Sequence, residues 1–174
     1  MREILGMLAY LTALLLLAYL VLHYIGQRTT VSGMSMYPTL EDGDNLIVDK
    51  ISYRFRDPQR YDIIVFPFQY KENTYYIKRI IGLPGETVRI VDGKMTINGE
   101  LLNEDYGYEI MESPGLAQEA ITLGEDEYFV LGDNRNNSMD SREPAVGTIK
   151  RKDIIGRAFL RIWPLSDFGI LKHQ

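Results

Sequence analysis

The sequence predicts a mostly β domain with antiparallel strands, preceded by one N-terminal transmembrane helix. Three observations lead to this prediction. Residues 4–25 are uncharged and apolar, and the rest of the chain consists of short runs rich in Val, Ile, Tyr and Phe separated by turn residues. No stretch after Gln27 keeps a helical period. The 174 residues therefore divide into an anchor over residues 1–27 and a β-rich domain over residues 28–174.

The apolar run is long enough to cross a bilayer. At about 1.5 Å per residue, a helix over residues 4–25 spans the hydrocarbon core of about 30 Å. A cleavable signal peptide would have a shorter apolar stretch and an A-x-A site, and no such site precedes Arg28. A buried globular helix would show a polar face. We therefore predict a retained transmembrane helix, although Arg2 is offset by Glu3 and charge alone does not orient it.

The predicted strands follow one another along the domain. Seven runs are rich in β-branched and aromatic residues: 45–51, 61–68, 74–82, 86–91, 94–98, 127–131 and 157–163. The dipeptides Asp92-Gly93 and Asn98-Gly99 are typical of hairpin turns, which favours antiparallel pairing. Residues 101–125 are polar and contain Gly and Pro, and we interpret them as a loop or a small excursion.

The composition argues against several kinds of site. The formal charge is -5 and there is no basic stripe, which argues against nucleic acid as a partner. The absence of cysteine excludes disulfides and a cysteine nucleophile. The two histidines, His23 in the apolar run and His173 beside the C-terminus, are poorly placed for a Ser-His-Asp triad or a zinc site. A hydrolase with this sequence would need lysine or a carboxylate as its base, and we predict no metal and no cofactor.

Ser35 lies in the first of three segments that could carry chemistry. This segment, residues 32–40, follows the apolar run and places Ser35 two residues after Gly33. The glycine would let another chain approach the backbone, and Ser35 offers both a hydroxyl and a backbone N–H. Taken alone, such a segment is more often an ordinary loop.

Lys78 lies in the second segment, within a predicted strand. Alternate residues share a face of a strand, so Tyr76, Lys78 and Ile80 lie together and Arg79 points the other way. A lysine among apolar neighbours either reaches solvent from an edge strand, which is the commoner outcome, or is buried. Burial would lower its pKa and make it a candidate general base for a serine.

The third segment, residues 132–142, is dense in polar groups and directly follows an apolar strand. It fails as a calcium loop, because Arg135 occupies a ligand position and the sixth position has no glycine. It could be an ordinary surface turn. It also contains the hydroxyls, carboxylates and arginines that would orient a catalytic lysine.

In this order, the three segments resemble the sequence blocks of the type I signal peptidases. Residues 35–40 resemble the nucleophile block of that family, residues 78–85 resemble its lysine block, and residues 132–142 resemble its last block nearly residue for residue. Residues 60–66 and 161–165 resemble two further parts of the family pattern. Each block alone is a modest signal, whereas the combination is specific.

The resemblance implies a β-rich peptidase domain of the signal-peptidase type, with Ser35 as the nucleophile and Lys78 as the general base. Ser138 would hydrogen-bond the amine of Lys78. Asp140 and Arg142 would brace the site.

The resemblance also implies where a substrate would bind. Met36, Tyr76 and Ile77 resemble the family's apolar pocket wall. Gly33 falls where some members supply a serine hydroxyl to the oxyanion hole. Backbone N–H groups, notably that of Ser35, are therefore expected to stabilise the oxyanion.

The substrates implied by the resemblance are signal peptides of exported preproteins, cut after a small residue in an A-x-A-like sequence. An extended peptide would add as a strand beside residues 31–35 and 75–78. The protein would be a single-pass protein of the cell membrane, with its catalytic domain on the extracytoplasmic side and the lipid bilayer as a second partner. Its single span is similar to the compact forms of Gram-positive bacteria.

Two other interpretations fit part of the sequence. The self-cleaving Ser/Lys repressors share a β fold, but they would need a DNA-binding module in place of the apolar run, and none is visible. A catalytically inactive, membrane-tethered binding module is the other alternative. Loss of Ser35 or Lys78 would have indicated it, and both residues are present.

Overall fold

The computed structural model describes residues 2–24 and 26–171. It has one long helix, α1, and twelve strands, with these bounds: α1 Arg2–Tyr24, β1 Gly26–Thr30, β2 Asn45–Asp49, β3 Ile63–Pro67, β4 Tyr75–Gly82, β5 Thr87–Val91, β6 Lys94–Ile97, β7 Glu100–Leu101, β8 Ile121–Thr122, β9 Glu127–Leu131, β10 Ile149–Lys150, β11 Gly156–Trp163 and β12 Gly169–Ile170. Four short 3₁₀ turns lie between them: Ser52–Arg54, Gly115–Gln118, Arg151–Asp153 and Leu165–Asp167. His173 and the side chain of His23 lie outside what the structure describes.

The strands form two antiparallel sheets. The larger sheet has the order β1-β2-β11-β3-β4-β9-β10, and β12 pairs with β11 beside this path. The smaller sheet has the order β7-β6-β5-β8. The prediction of a mostly β, antiparallel domain is therefore confirmed, and the excursion predicted after residue 101 contributes β8 and part of β7 to the smaller sheet.

Two details of the strand prediction were wrong. The strand predicted from residue 61 begins at Ile63, because Tyr61 has a positive φ of 71° that breaks the extended backbone. The two-residue strands β10 and β12 were not predicted, and neither was the polar strand β1. Its five residues each face a residue of β2, so pairing with a neighbouring strand stabilises it rather than apolar content.

The N-terminal apolar run is helical, as predicted, and forms α1 over 23 residues. Within the part of the chain that the structure describes, no helix combines the length and the apolar character needed to cross a membrane. The transmembrane part of the prediction is therefore not confirmed by the structure.

Three apolar clusters support the larger sheet and the connections around it. One lies between β4, β9 and the smaller sheet and contains Ile81 and Leu131. A second lies against the other side of β4 and contains Ile80. The third lies beneath the connection between β1 and β2 and contains Met36 and Leu40. Because β4 contacts the first two clusters, its backbone is fixed from both faces.

Candidate active site

Ser35 and Lys78 are in direct contact. The Nζ of Lys78 donates a hydrogen bond of 2.7 Å to the Oγ of Ser35 and a second of 2.9 Å to the carbonyl oxygen of Ile77. Lys78 is only 3% exposed, although it lies at the wall of an open cleft. Of the two alternatives that the sequence left open, Lys78 reaching solvent is therefore excluded and burial of Lys78 is observed.

The position of Lys78 follows from strand β4. Its backbone pairs with Ile64 of β3, which holds the strand in register. The ring of Tyr76, two residues earlier, lies with its centroid 5.2 Å from Nζ. The ring of Tyr76 therefore lies on the same face of the strand as the amine, as the alternation of residues predicted.

Burial lowers the pKa of Lys78 from its ordinary value of 10.5 to about 8. The loss of hydration of the ammonium group is the largest cause, and the negative charges of Asp140 and Asp133 act in the opposite direction without reversing it. A substantial fraction of Lys78 is therefore neutral slightly above neutral pH. A neutral amine at hydrogen-bond distance from a hydroxyl can accept its proton.

Ser35 lies in a tight turn that is fixed from below. The N–H of Tyr37 donates to the carbonyl of Met34 at 3.1 Å, and the N–H of Leu40 donates to that of Met36 at 2.9 Å. Met36 is 1% exposed and Leu40 is fully buried. These two side chains anchor the turn in the third apolar cluster, so the serine itself projects from a supported backbone.

Gly33 begins this turn in a conformation that other residues rarely adopt, with a φ of +90°. Its N–H donates to the side-chain carboxylate of Asp42 at 2.7 Å. That N–H is therefore already occupied, and Asp42 fixes the approach to the turn. No pattern in the sequence singles out Asp42, because an exposed acidic residue in a loop is ordinary.

Asn134 connects the third segment to the turn that carries the serine. Its backbone N–H donates to the carbonyl of Ser35 at 3.0 Å, and its side-chain amide donates to the carbonyl of Met34 at 3.1 Å. Close approach is possible because residue 132 is glycine. A β-carbon on Gly132 would lie only 2.3 Å from the carbonyl oxygen of Ser35.

Asp140 and Arg142 form a paired unit beside Lys78. Arg142 donates to both oxygens of the Asp140 carboxylate, at 2.8 and 2.9 Å. Asp140 also accepts the N–H of Gly132 at 3.1 Å. Its negative charge is thus balanced by the guanidinium, which limits how strongly it favours the charged form of Lys78.

Ser138 does not make the hydrogen bond that we predicted from the resemblance. The amine of Lys78 is directed to Ser35 and Ile77 instead. Among the described residues, the buried Oγ of Ser138 has no hydrogen-bond partner, and it lies against the backbone of Gly132. A count of hydroxyls in a segment cannot give the direction in which each one points.

Behind the site, Asp133 of the third segment joins the other two segments. Arg79 donates to both carboxylate oxygens of Asp133, at 2.8 and 2.7 Å, and the hydroxyl of Thr39 donates to one of them. Neither charged side chain has any exposed surface. The sequence indicated only that Arg79 would point away from Lys78, and its partner was missed because charge pairing across the fold is not visible in the sequence.

A cleft of about 290 Å³ opens in front of Ser35. One wall is formed by residues 29–35 and the other by residues 75–78, with Val65, Asn137 and Met139 completing the lining. Three of the predicted substrate-contacting residues line it: Gly33, Tyr76 and Ile77.

Met36, the fourth residue predicted to contact substrate, does not line the cleft. It points down into the third apolar cluster, because the backbone there turns rather than running on as a strand. Met139 was missed as a lining residue. Its sulfur lies 3.3 Å from the hydroxyl of Tyr76.

Acidic side chains in the described part of the chain do not gather into a metal centre. No group of three or more His, Cys, Asp or Glu residues there could hold a metal ion.

An antiparallel β domain that presents a serine beside a buried lysine with a lowered pKa, at the wall of a cleft between two strand edges, is a serine peptidase. Comparison with known proteins identifies the kind. The family model described as "Signal peptidase, peptidase S26" matches residues 4–163, and the chain belongs to this family.

Several relatives of the chain are named as signal peptidase I enzymes. The chain is 42% identical over 153 residues to "Probable signal peptidase I-2" of Synechocystis sp., covering 85% of this chain and 68% of that protein. It is 44% identical over 155 residues to signal peptidase I of Leptolyngbya laminosa, covering 85% and 74%. A crystal structure of a signal peptidase I from Enterococcus faecalis V583 is 38% identical, with a TM-score of 0.49, and the match covers 59% of this chain and 97% of that one.

Proposed function

We propose that this protein is a membrane-bound serine endopeptidase that removes signal peptides from exported preproteins, with Ser35 as the nucleophile and Lys78 as the general base. The observation that carries the proposal is the hydrogen bond of 2.7 Å between a buried lysine and the serine. The family of the chain supports the substrate class. No metal or cofactor takes part in the proposed reaction.

In the proposed reaction, neutral Lys78 takes the proton of Ser35 as its Oγ bonds to the carbonyl carbon of the scissile peptide. The resulting ammonium returns this proton to the leaving amine, and the C–N bond breaks to give an acyl-enzyme. Water then adds to the ester carbonyl while Lys78 takes one of its protons. The proton passes to Ser35 as the ester bond breaks, which restores both residues.

The oxyanion of each tetrahedral intermediate requires donors. Gly33 has no hydroxyl to offer, and its N–H is held by Asp42. We therefore assign the backbone N–H of Ser35 as a donor, since it belongs to the attacking residue and lies next to the carbonyl oxygen during attack. The fixed turn around Ser35 keeps this N–H oriented before the substrate binds.

The unpaired edge of β4 suggests how a peptide would bind. Residues 75–78 pair with β3 on one side, whereas pairing with β9 begins only at Arg79. The other side of residues 75–78 therefore faces the cleft and residues 29–35 across it. An extended peptide that adds there would form main-chain hydrogen bonds and place alternate side chains toward the cleft walls.

The size of the cleft supports a preference for small residues. Several residues of an extended peptide would share the cleft volume of about 290 Å³, so little space would remain for each side chain. Tyr76 is held in place by stacking on Phe68, with ring centroids 4.6 Å apart, so the wall that it forms cannot easily retreat. Large side chains would be excluded by steric overlap, which is selection against competitors rather than attraction of alanine.

We assign residues 1–27 to a membrane anchor and residues 28–174 to an extracytoplasmic domain. The assignment rests on the uncharged run of residues 4–25 and on the substrates proposed above. The large apolar side chains of α1 for which the structure describes burial are at least half exposed to solvent, so the domain does not bury them. The bilayer is the partner that this surface fits.

The experiment is to incubate the purified full chain, in detergent or liposomes, with a preprotein carrying an A-x-A site and to locate the cut by mass spectrometry. We expect one cut after the last small residue. Binding of the preprotein without any cut would overturn the proposal and would favour the inactive binding module. A cut that persists in Ser35→Ala would overturn the assignment of the nucleophile.

A further inference from the structure

Residues 104–112, which we call the strap, cross behind the candidate site without regular secondary structure. Both of its ends are attached to the first apolar cluster. Before it, the N–H of Leu102 donates to the carbonyl of Met95 at 2.9 Å, and Leu102 packs on the cluster. At its end, Met111 is 6% exposed and belongs to the cluster. The strap is therefore held firmly at both ends.

The strap contacts strand β4 one residue after Lys78. The guanidinium of Arg79 lies over the ring of Tyr106, 3.6 Å from its centroid. Arg79 is fully buried, so the ring covers a charge that water cannot reach. Tyr106 also packs on Tyr61, with ring centroids 5.0 Å apart.

The strap contacts the turn of the nucleophile two residues after Ser35. The rings of Tyr37 and Tyr108 meet edge to face, with centroids 5.0 Å apart and an interplanar angle of 82°. The N–H of Tyr37 closes the turn by donating to the carbonyl of Met34. The strap therefore packs against Tyr37, the residue that closes this turn.

The strap also holds the third segment. The N–H of Tyr108 donates to the carbonyl of Asp133 at 3.0 Å. Arg135 lies 2.8 Å from Glu104 in an enclosed ion pair, although the contact lacks the geometry of a hydrogen bond. The side-chain oxygen of Asn136 accepts the N–H of Glu112 at 2.9 Å.

We propose that the strap is a positioning element for catalysis, in which Tyr106 sets the position of Lys78 through Arg79 and Tyr108 sets the position of Ser35 through Tyr37. The strap touches all three segments that form the site. It contacts the residue after Lys78, the second residue after Ser35, and the loop that binds the carbonyl of Ser35. The inference rests on the proposed function, because positioning matters only if Lys78 deprotonates Ser35.

The size of the expected effect follows from geometry. Proton transfer needs donor and acceptor at hydrogen-bond distance, and a displacement of about 1 Å can cost about 100-fold in rate. Tyr108 is half exposed, so its ring contributes little to the core. Its removal should affect the turn more than the stability of the domain.

The test compares Tyr106→Leu and Tyr108→Leu with Tyr106→Phe and Tyr108→Phe in the full chain. The Leu variants remove the aromatic contacts and should lower kcat by about 10- to 100-fold with KM changed by less than about 3-fold. The Phe variants keep the rings and should retain kcat within about 3-fold. Phe55→Leu, at an aromatic residue that is 85% exposed, is the matched control and should match the unaltered protein.

A second readout is independent of activity. The lowered pKa of Lys78 makes the free energy of unfolding rise with pH between about 8 and 10.5, because the buried amine of the folded chain loses its proton before that of the unfolded chain. Tyr106→Leu or Tyr108→Leu should make this rise smaller by about half or more if the amine leaves its buried position beside Ser35. Thermal unfolding shows whether each variant is folded.

The outcomes separate the two proposals. If the unaltered protein does not cut a preprotein, the proposed function fails, whereas a smaller rise of the free energy of unfolding with pH in the Leu variants still supports the strap as the element that positions Lys78 beside Ser35. If the protein cuts and the folded Leu variants keep both kcat and the full rise with pH, the strap inference is overturned. Loss of kcat in the Phe variants as well would also overturn it, because the ring contacts would then not be the cause.

Discussion

Arg79 and Asp133 form a doubly hydrogen-bonded ion pair in which neither side chain has any exposed surface. The pair joins the strand that carries Lys78 to the loop that binds the carbonyl of Ser35. Burying two charges is costly unless each satisfies the other, so the arrangement holds only while both partners are present. Removing either partner alone should therefore destabilise the fold, because the other charge would stay buried without its counter-charge.

Asp133→Ala should lower the free energy of unfolding by about 3–5 kcal/mol, because it leaves the guanidinium of Arg79 buried without its counter-charge. Urea unfolding followed by circular dichroism measures this. Asp57→Ala is the matched control, since Asp57 is 90% exposed and its ion pair with Arg151 should contribute less than about 1 kcal/mol. Equal effects of the two substitutions would contradict the assigned role of the buried pair.

Ser35→Ala should abolish cleavage while leaving the fold intact. No other hydroxyl lies at 2.7 Å from Lys78 among the described residues, so the acyl intermediate has no alternative site. The loss in kcat should be at least about 1,000-fold, measured with purified protein and a preprotein. Ser166→Ala, on an exposed serine far along the chain, should leave the rate unchanged.

The rate of cleavage should rise with pH along a limb with its midpoint near pH 8. The neutral amine of Lys78 is the active form, and burial lowers its pKa to about 8, so raising the pH through this value populates the base. Lys78→Arg should be inactive, because guanidinium does not release its proton in proteins. A limb centred on the ordinary lysine value of 10.5, or an active Lys78→Arg, would show that Lys78 is not the base.

The same lowered pKa predicts how stability depends on pH. Between about 8 and 10.5 the unfolded chain holds a proton on Lys78 that the folded chain has released, so the free energy of unfolding should rise with pH across this window. Lys78→Met should remove this rise and should be more stable than the unaltered protein below pH 8. Lys71→Met, on an exposed lysine, serves as control. Parallel profiles for Lys78→Met and the unaltered protein would contradict the burial of the amine.

The proposed topology predicts that protease added to intact protoplasts digests the domain. Residues 28–174 would then be accessible from outside, whereas digestion only after lysis would show the opposite orientation.

Contact of the domain with lipid is tested separately. Trp163 is 55% exposed and Phe168 is 60% exposed near the end of the larger sheet, so liposome binding should weaken in a Trp163→Ala, Phe168→Ala variant relative to Phe55→Ala, an equally apolar exposed site.

The sequence was sufficient to predict most strands, because β-branched and aromatic runs determine them locally. Through the resemblance, it was also sufficient to single out Ser35 and Lys78 as candidate catalytic residues, although they are far apart in the sequence. The predictions that were wrong depended on the direction in which a side chain points. Ser138 carries a suitable hydroxyl, but it lies against Gly132. Met36 lies in a turn, so the alternation of faces along a strand does not apply to it.

The strap illustrates a second limit. Residues 104–112 have no period, so their sequence indicates only a loop. Their role depends on rings that meet partners far along the chain, such as Tyr106 with Arg79 and Tyr108 with Tyr37. Such contacts are set by the tertiary fold, and neither propensity nor patterning contains them.

The unpaired edge of β4 has a consequence for what the protein leaves uncut. A bare strand edge ordinarily invites pairing with other sheets, which is a route to aggregation. Here the edge of residues 75–78 faces residues 29–35 across the cleft, and the proposed binding mode places one extended chain between them. Under the proposed function, polypeptides would therefore be sorted by their state of folding before any side chain is recognised, and mature domains that have already folded would be spared.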